Sequence, residues 1–219
     1  MPRPYRISSG EYCYHVLNRG NGRAEIFHKT EDYAAFLRLI IEASQRTPMR
    51  LLAYCLMPNH FHLVLRPHET GDLSRWMQWL MTSHVRRYHR HYNTSGHVWQ
   101  GRFKSFPIDE DEHLLTVVRY VELNPVRAKN FEATRVTDWP WSSAGRPPDG
   151  VESPHLELDA IYPDARARLP HRLTNEMTAE LQCSLDRGRP FGNPTWREKA
   201  TKELGLESTL RPRGRPRKK

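Results

Sequence analysis

The chain has 219 residues, 37% of them hydrophobic, with 17 prolines and a formal net charge of +9 when histidine is neutral. This length suits one domain of ordinary size with extensions, and no apolar run approaches the length that spans a bilayer, so no membrane partner is expected. The opening Met1-Pro2-Arg3-Pro4-Tyr5-Arg6 lacks the apolar stretch of a signal peptide, and Cys13, Cys55 and Cys183 form no CxxC pair, which argues against a disulfide framework or a cysteine zinc site and for a reduced, cytoplasmic setting.

In chain order, residues 11–18 are rich in aromatic and β-branched side chains and read as a strand. Gly20, Asn21 and Gly22 mark a loop. Thr30 has the character of an N-cap ahead of Glu31 and Asp32, and Phe36, Leu37, Ile40 and Ile41 give the following helix one apolar face. Residues 50–56 and 60–66 read as two strands joined at Pro58-Asn59. In the second of them Phe61, Leu63 and Leu65 face one way and His60, His62 and Val64 the other, because strand side chains alternate. A long helix from Asp72 to about His91 carries a core stripe of Leu73, Trp76, Met77, Leu80, His84 and Tyr88. Its other face holds Arg75, Arg86, Arg87 and Arg90, a pattern that by itself means a solvated surface. Residues 97–108 read as a further strand with its loop, and a helix from about Glu110 to Leu123 completes the body.

This β-α-β-β-α-β-α order predicts an α+β fold, a ferredoxin-like split βαβ antiparallel sheet with its helices on one face and the other face free to carry a site. Residues 1–144 form the body, closed by Trp139-Pro140-Trp141-Ser142-Ser143. Residues 145–172 are a Pro-rich linker or wrapping arm, 173–208 a small helical extension and 209–219 a basic tail. Six positive charges and no negative one fall in residues 211–219, which points to a polyanionic partner, with a solvated, solubilising tail as the plainer alternative.

The chemistry concentrates in two places. His60-Phe61-His62 puts two imidazoles on one strand face at roughly 7 Å spacing. Such a pair can share a divalent cation, although histidines on a half-buried strand also serve purely structural ends. Tyr120 and Asn124 stand one helical turn apart on a shared face. Tyr120 is a candidate nucleophile or a packed core residue. Asn124 precedes Pro125 and suits either an N-cap or a metal ligand, two roles that use the same side-chain oxygen. Trp99, Arg102, Phe103 and Lys104 mix aromatic and cationic groups, which suits single-stranded nucleic acid or an ordinary amphipathic strand.

Together, His60-Phe61-His62 and the downstream run Tyr120-Val121-Glu122-Leu123-Asn124-Pro125-Val126-Arg127-Ala128 resemble the HUH single-tyrosine transposases, and among them the REP-associated tyrosine transposases. Met57-Pro58-Asn59-His60, Val98-Trp99-Gln100-Gly101-Arg102-Phe103-Lys104 and Trp141-Ser142-Ser143 support the resemblance, which covers residues 5–145. It implies a catalytic body in which His60 and His62 hold a divalent metal, Mg2+ or Mn2+, with Asn124 as third ligand where related transposases often carry a longer glutamine. It implies Tyr120 as the nucleophile that attacks DNA, leaving a covalent 5′-phosphotyrosine and a free 3′-hydroxyl. The implied substrate is single-stranded or hairpin DNA of the REP palindrome type. A monomer is expected, with a dimer as the alternative. DNA contacts are expected from Trp99, Arg102, Phe103, Lys104 and Arg127, and from Arg213 and Arg215 in a segment that looks like an AT-hook, whose arginines would favour a narrow minor groove. The rival readings are a DNA-binding regulator without catalysis and a metallohydrolase that activates water.

Overall fold

In the computed structural model of the chain, residues 8–128, 131 and 133–211 are described. Four strands, β1 (Cys13–Arg19), β2 (Met49–Met57), β3 (His60–Pro67) and β4 (Lys104–Ile108), form one antiparallel sheet in the order β2-β3-β1-β4. Met57 pairs with His60 across the two-residue turn Pro58-Asn59. The carbonyl of Pro58 accepts from the Ile26 and Phe27 amides, and that of Asn59 from the Gly20 amide, so the turn beside His60 is tied down from outside the hairpin.

Helices α1 (Thr30–Arg46) and α2 (Asp72–Tyr92) pack on one face of the sheet, as the split βαβ pattern requires. Phe36, Leu37 and Ile40 of α1 meet Leu73, Trp76, Met77 and Leu80 of α2 over Val16, Leu56, Phe61, Leu63 and Leu65. Each large side chain buried there contributes about 1.5–3 kcal/mol. Helix α1 begins at Thr30 itself, one residue earlier than an N-cap at that position implies, and Lys29 takes the cap position. Its first turn is closed by the Asp32 carboxylate, which accepts the His28 amide at 3.0 Å.

The opposite face is not left open. Helix α3 (Glu112–Glu122) lies across it, and Leu114, Leu115, Val117, Val118 and Val121 bury against Cys13, Cys55, Val64, Phe106 and Ile108. The reason is visible in β2, which is buried along almost its whole length. A strand apolar on both faces needs cover on both. A bulge between Leu51 and Ala53 turns Leu52 and Ala53 to this second side together.

The expected strand over 97–108 is regular only from Lys104 to Ile108. Residues 97–103 are a loop held beside the end of β1 by an isolated bridge, Gly20 to Trp99, and by the Gln100 amide, which donates to the Arg19 carbonyl. Gly96 at φ 96° and Gly101 at φ 149° adopt backbone angles that break an extended run.

Both sheet edges are covered. Along β2, the Leu56 amide donates to Trp141, the Ser143 amide to Tyr54, and the Trp139 indole to the Leu56 carbonyl. Along β4, Phe191 exchanges backbone bonds with Pro107 and Asp109. After α3 come α4 (Asn124–Arg127) and, beyond the body, α5 (Leu158–Ile161), α6 (Ala165–Arg168), α7 (Asn175–Arg187) and α8 (Pro194–Glu203). Residues 145–172 wrap the body. Leu158, Ala165 and Leu169 enter the second core, and Arg166 pairs with the buried Glu122. Among the described residues no helix is long and apolar enough to cross a membrane.

Candidate active site

Strand register builds the site. β1 lies beside β3 with Leu17 opposite His62 and Arg19 opposite His60, so His15, Leu17 and Arg19 share the face that His60 and His62 occupy. Helix α3 crosses that face and brings Tyr120 to it. The ring centroids of His60 and His62 are 5.1 Å apart, and those of His62 and Tyr120 6.0 Å apart. These groups open onto a cleft of about 780 Å³, lined also by Arg19, Asn124, Arg102, Phe103 and Lys104. Its far wall comes from Gln182, Leu185 and Asp186 of α7 and from Leu204, Gly205, Leu206 and Ser208.

Each candidate ligand is oriented through Nδ1. His62 Nδ1 lies 2.9 Å from His15 Nε2, and His60 Nδ1 lies 2.6 Å from Asn59 Oδ1. Among the described residues neither Nε2 has a protein partner. Such an arrangement, with one ring nitrogen held and the other offered, is how metal-binding histidines are positioned. Burial lowers the pKa of His60 to about 4, with the Arg19 charge adding to the effect, and pushes His62 well below its ordinary value. Both imidazoles are therefore neutral at pH 7, the state that binds a cation.

Asn124 does not cap. It is the first residue of α4, and the cap position belongs to Leu123, because α3 runs almost directly into α4. Asn124 Nδ2 donates back to the carbonyls of Tyr120 (3.0 Å) and Val121 (3.3 Å), which leaves Oδ1 clear of the helix. Two neutral imidazoles and an amide oxygen make a mixed N/O donor set that suits a divalent ion. A second place where a divalent cation fits is the head of α3, where Asp109, Asp111 and His113 bring one ligand atom each within 4.8 Å of one another. There Asp111 is already committed as the α3 cap and to His113 Nδ1, and Asp109 to Asn193.

Burial raises the Tyr120 pKa, and the Arg127 and Arg19 charges oppose that rise. The Arg127 guanidinium lies 5.0 Å from the centre of the Tyr120 ring. The phenol is thus protonated in the resting site, with two cations placed to ease its ionisation.

Arg102, Phe103 and Lys104 border the cleft, and Arg127 flanks Tyr120. Trp99 does not join them. It is only 5% exposed, its ring 5.2 Å from Phe61 in the core under α1 and α2, so it is a packing residue rather than a stacking platform for bases. Arg213 and Arg215 lie outside the described residues. Sequence reasoning missed His15 and Arg19, although their spacing on β1 carried the signal, since i and i+4 of one strand share a face. It also missed the far wall of the cleft, for which no local signal exists.

Comparison with known proteins identifies the family. The profile of the family described as Transposase IS200 like matches residues 8–124, over half of the chain, and the chain belongs to that family. Membership places it among the DNA transposases, which are DNA-cleaving enzymes. A REP-associated tyrosine transposase of Escherichia coli K12 is 27% identical over 146 residues, covering 66% of this chain and 82% of its own length. A Haemophilus influenzae protein assigned to the same group is 27% identical over 135 residues, covering 53% of this chain and 75% of its own. A solved structure of a REP-associated tyrosine transposase bound to a REP hairpin covers 65% of this chain and 81% of its own, at 24% identity and a TM-score of 0.49.

Proposed function

We propose that this chain cuts and rejoins single-stranded or hairpin DNA, including REP-like palindromes, through a covalent bond to Tyr120. One observation carries the reading: a tyrosine lies 6.0 Å, ring to ring, from one of two neutral imidazoles whose Nε2 atoms are uncommitted, all within one cleft of one chain. The Escherichia coli relative bears the name REP-associated tyrosine transposase. A divalent cation, Mg2+ or Mn2+, held by His60, His62 and Asn124 would polarise the scissile phosphate and offset charge developing on its non-bridging oxygens.

The residues of the chain supply the rest. Tyr120 Oη attacks phosphorus, the new Oη–P bond forms as the P–O3′ bond breaks, the phenol proton passes to solvent, and the departing 3′-oxygen takes up a proton. The phosphoester is conserved in the 5′-phosphotyrosine, so the reverse attack by a 3′-hydroxyl rejoins DNA with no nucleotide cofactor. Arg127 stabilises the phenolate. His15 fixes the ring of His62, and Asn59 that of His60. Arg102 and Lys104 follow the DNA backbone at the cleft rim, with Phe103 beside them. Residues 1–144 carry the chemistry, the helical extension completes the cleft, and the basic tail adds duplex affinity through Arg213 and Arg215. All four site groups lie on one chain, so the reaction needs no second copy.

The test is incubation with labelled hairpin DNA and Mn2+. A covalent protein–DNA band that vanishes in Tyr120→Phe supports the reading. Binding without a band identifies a regulator. Cleavage that persists in Tyr120→Phe without adduct identifies a hydrolase acting through water.

A further inference from the structure

We propose that Arg19 is a phosphate-holding catalytic residue of this cleft, its guanidinium binding the non-bridging oxygens of the phosphodiester presented to Tyr120. This rests on the tyrosine chemistry proposed above and adds a residue to it. Arg19 ends β1 directly opposite His60 and lines the cleft. Its backbone is pinned, the amide donating to Asn18 Oδ1 at 2.9 Å and the carbonyl accepting from the Gln100 amide at 2.9 Å. Asn18 is itself anchored, its Nδ2 donating to the Gly101 carbonyl at 2.9 Å.

The side chain, by contrast, has no ion-pair partner among the described residues. Its Nε is buried without a hydrogen-bond acceptor. Other arginines close to the body behave differently: Arg66 pairs with Glu110, Arg87 with Asp32, and Arg119 and Arg166 with Glu122. A partly buried guanidinium without an anion is unfavourable, and its donors call for an acceptor. The position sharpens the argument. The charge shares one cleft with two imidazoles and a phenol, at the strand position directly opposite His60. A fixed cation beside a pair of cation-binding imidazoles repels the metal they would hold. An anion between them resolves the conflict. The planar fork of arginine matches two oxygens of a phosphodiester, which a single ammonium does not. Arg127 is a poorer candidate for this contact because it lies over the Tyr120 ring.

Arg19→Gln and Arg19→Lys test this against the wild type in three measurements: Mn2+ titration without DNA, binding of a fluorescent single-stranded oligonucleotide, and the single-turnover rate of adduct formation with saturating hairpin. In Arg19→Gln the rate falls by roughly 100-fold, the scale of losing one charge-stabilising donor. Oligonucleotide binding weakens, while Mn2+ binds as tightly as in wild type or more tightly, because a repelling charge has gone. Arg19→Lys recovers part of the rate. An unchanged adduct rate in Arg19→Gln overturns the proposal. So does a parallel loss of Mn2+ binding, which marks a structural role. A wild-type protein that binds oligonucleotide through Arg19 but forms no adduct refutes the tyrosine chemistry while upholding the phosphate contact, so the two failures are distinguishable.

Discussion

Phenylalanine at position 15 keeps a flat ring in place and removes one hydrogen-bonding nitrogen. His15 is fully buried, packs 5.0 Å from Phe106 and 6.4 Å from Tyr120, and meets His62 both by ring stacking at 5.0 Å and through a 2.9 Å hydrogen bond. For His62 to offer Nε2 to a metal it must carry its proton on Nδ1 and donate it to His15 Nε2. In His15→Phe that N–H has no acceptor, a penalty of about 1–3 kcal/mol for a buried donor. The ring escapes by carrying the proton on Nε2 instead, facing the cleft, and metal binding must then reverse the shift. The expected effect is a roughly 10–100-fold loss of Mn2+ affinity, the range for a lost orienting partner of a ligand histidine, with global stability changed far less. Mn2+ titration by calorimetry or by electron paramagnetic resonance measures it. His84→Phe is the control, since His84 is equally buried but lies in the core under α1 and α2. Wild-type affinity in a folded His15→Phe protein, or an equal loss in His84→Phe, refutes the reasoning.

Three further outcomes follow from the structure. Burial holds His15 near a pKa of about 3 and His60 near about 4, both below the unfolded value near 6.5. The unfolded chain therefore binds more protons in that range, so metal-free stability is fully present above about pH 6.5 and lost as pH falls toward 4, by about 1.4 kcal/mol per pH unit for each such histidine; denaturant melts at pH 7, 6 and 5 that coincide would contradict this. Glu122 is 1% exposed and bonded to Arg166, Arg119 and Ser143, so Glu122→Ala strands two arginines and destabilises by about 2–4 kcal/mol, less than for a fully buried pair because Arg166 is partly solvated; a loss under 1 kcal/mol in urea unfolding would show the arm is held otherwise. Trp99→Ala empties a core site and costs about 3–5 kcal/mol, yet leaves the salt dependence of oligonucleotide binding as it was; a change in that slope would return Trp99 to the DNA surface.

The legible parts of the fold were those written locally. Pro58-Asn59 between two apolar runs identified the hairpin, and alternation placed His60 and His62 together on one face of β3. The helical spacing of Leu73, Trp76, Met77, Leu80 and His84 gave α2 nearly to its ends. What alternation and helical period cannot state is which layer an element joins. The stripe of α3 is readable, but its passage to the far side of the sheet is decided by the two-sided apolar character of β2. That crossing brings Tyr120 to the histidines. His15 and Arg19 were hidden for a related reason, since their role depends on β1 lying next to β3, a pairing between segments more than forty residues apart. Trp99 misled because it stands beside exposed cationic neighbours in sequence while its ring turns inward. Asn124 held two readings until the helix was seen to begin on it.

The covered margins of the sheet carry a lesson for anyone who trims this protein. The family profile ends at residue 124, but the backbone groups that satisfy β2 and β4 along their outer sides belong to residues 141–143 and to Phe191. A fragment cut to the recognisable portion would carry two open ladders of amides and carbonyls, a template for strand-to-strand polymerisation. It would also lose one bank of the channel where the chemistry is placed. The residues beyond the matched portion thus close both margins of the sheet.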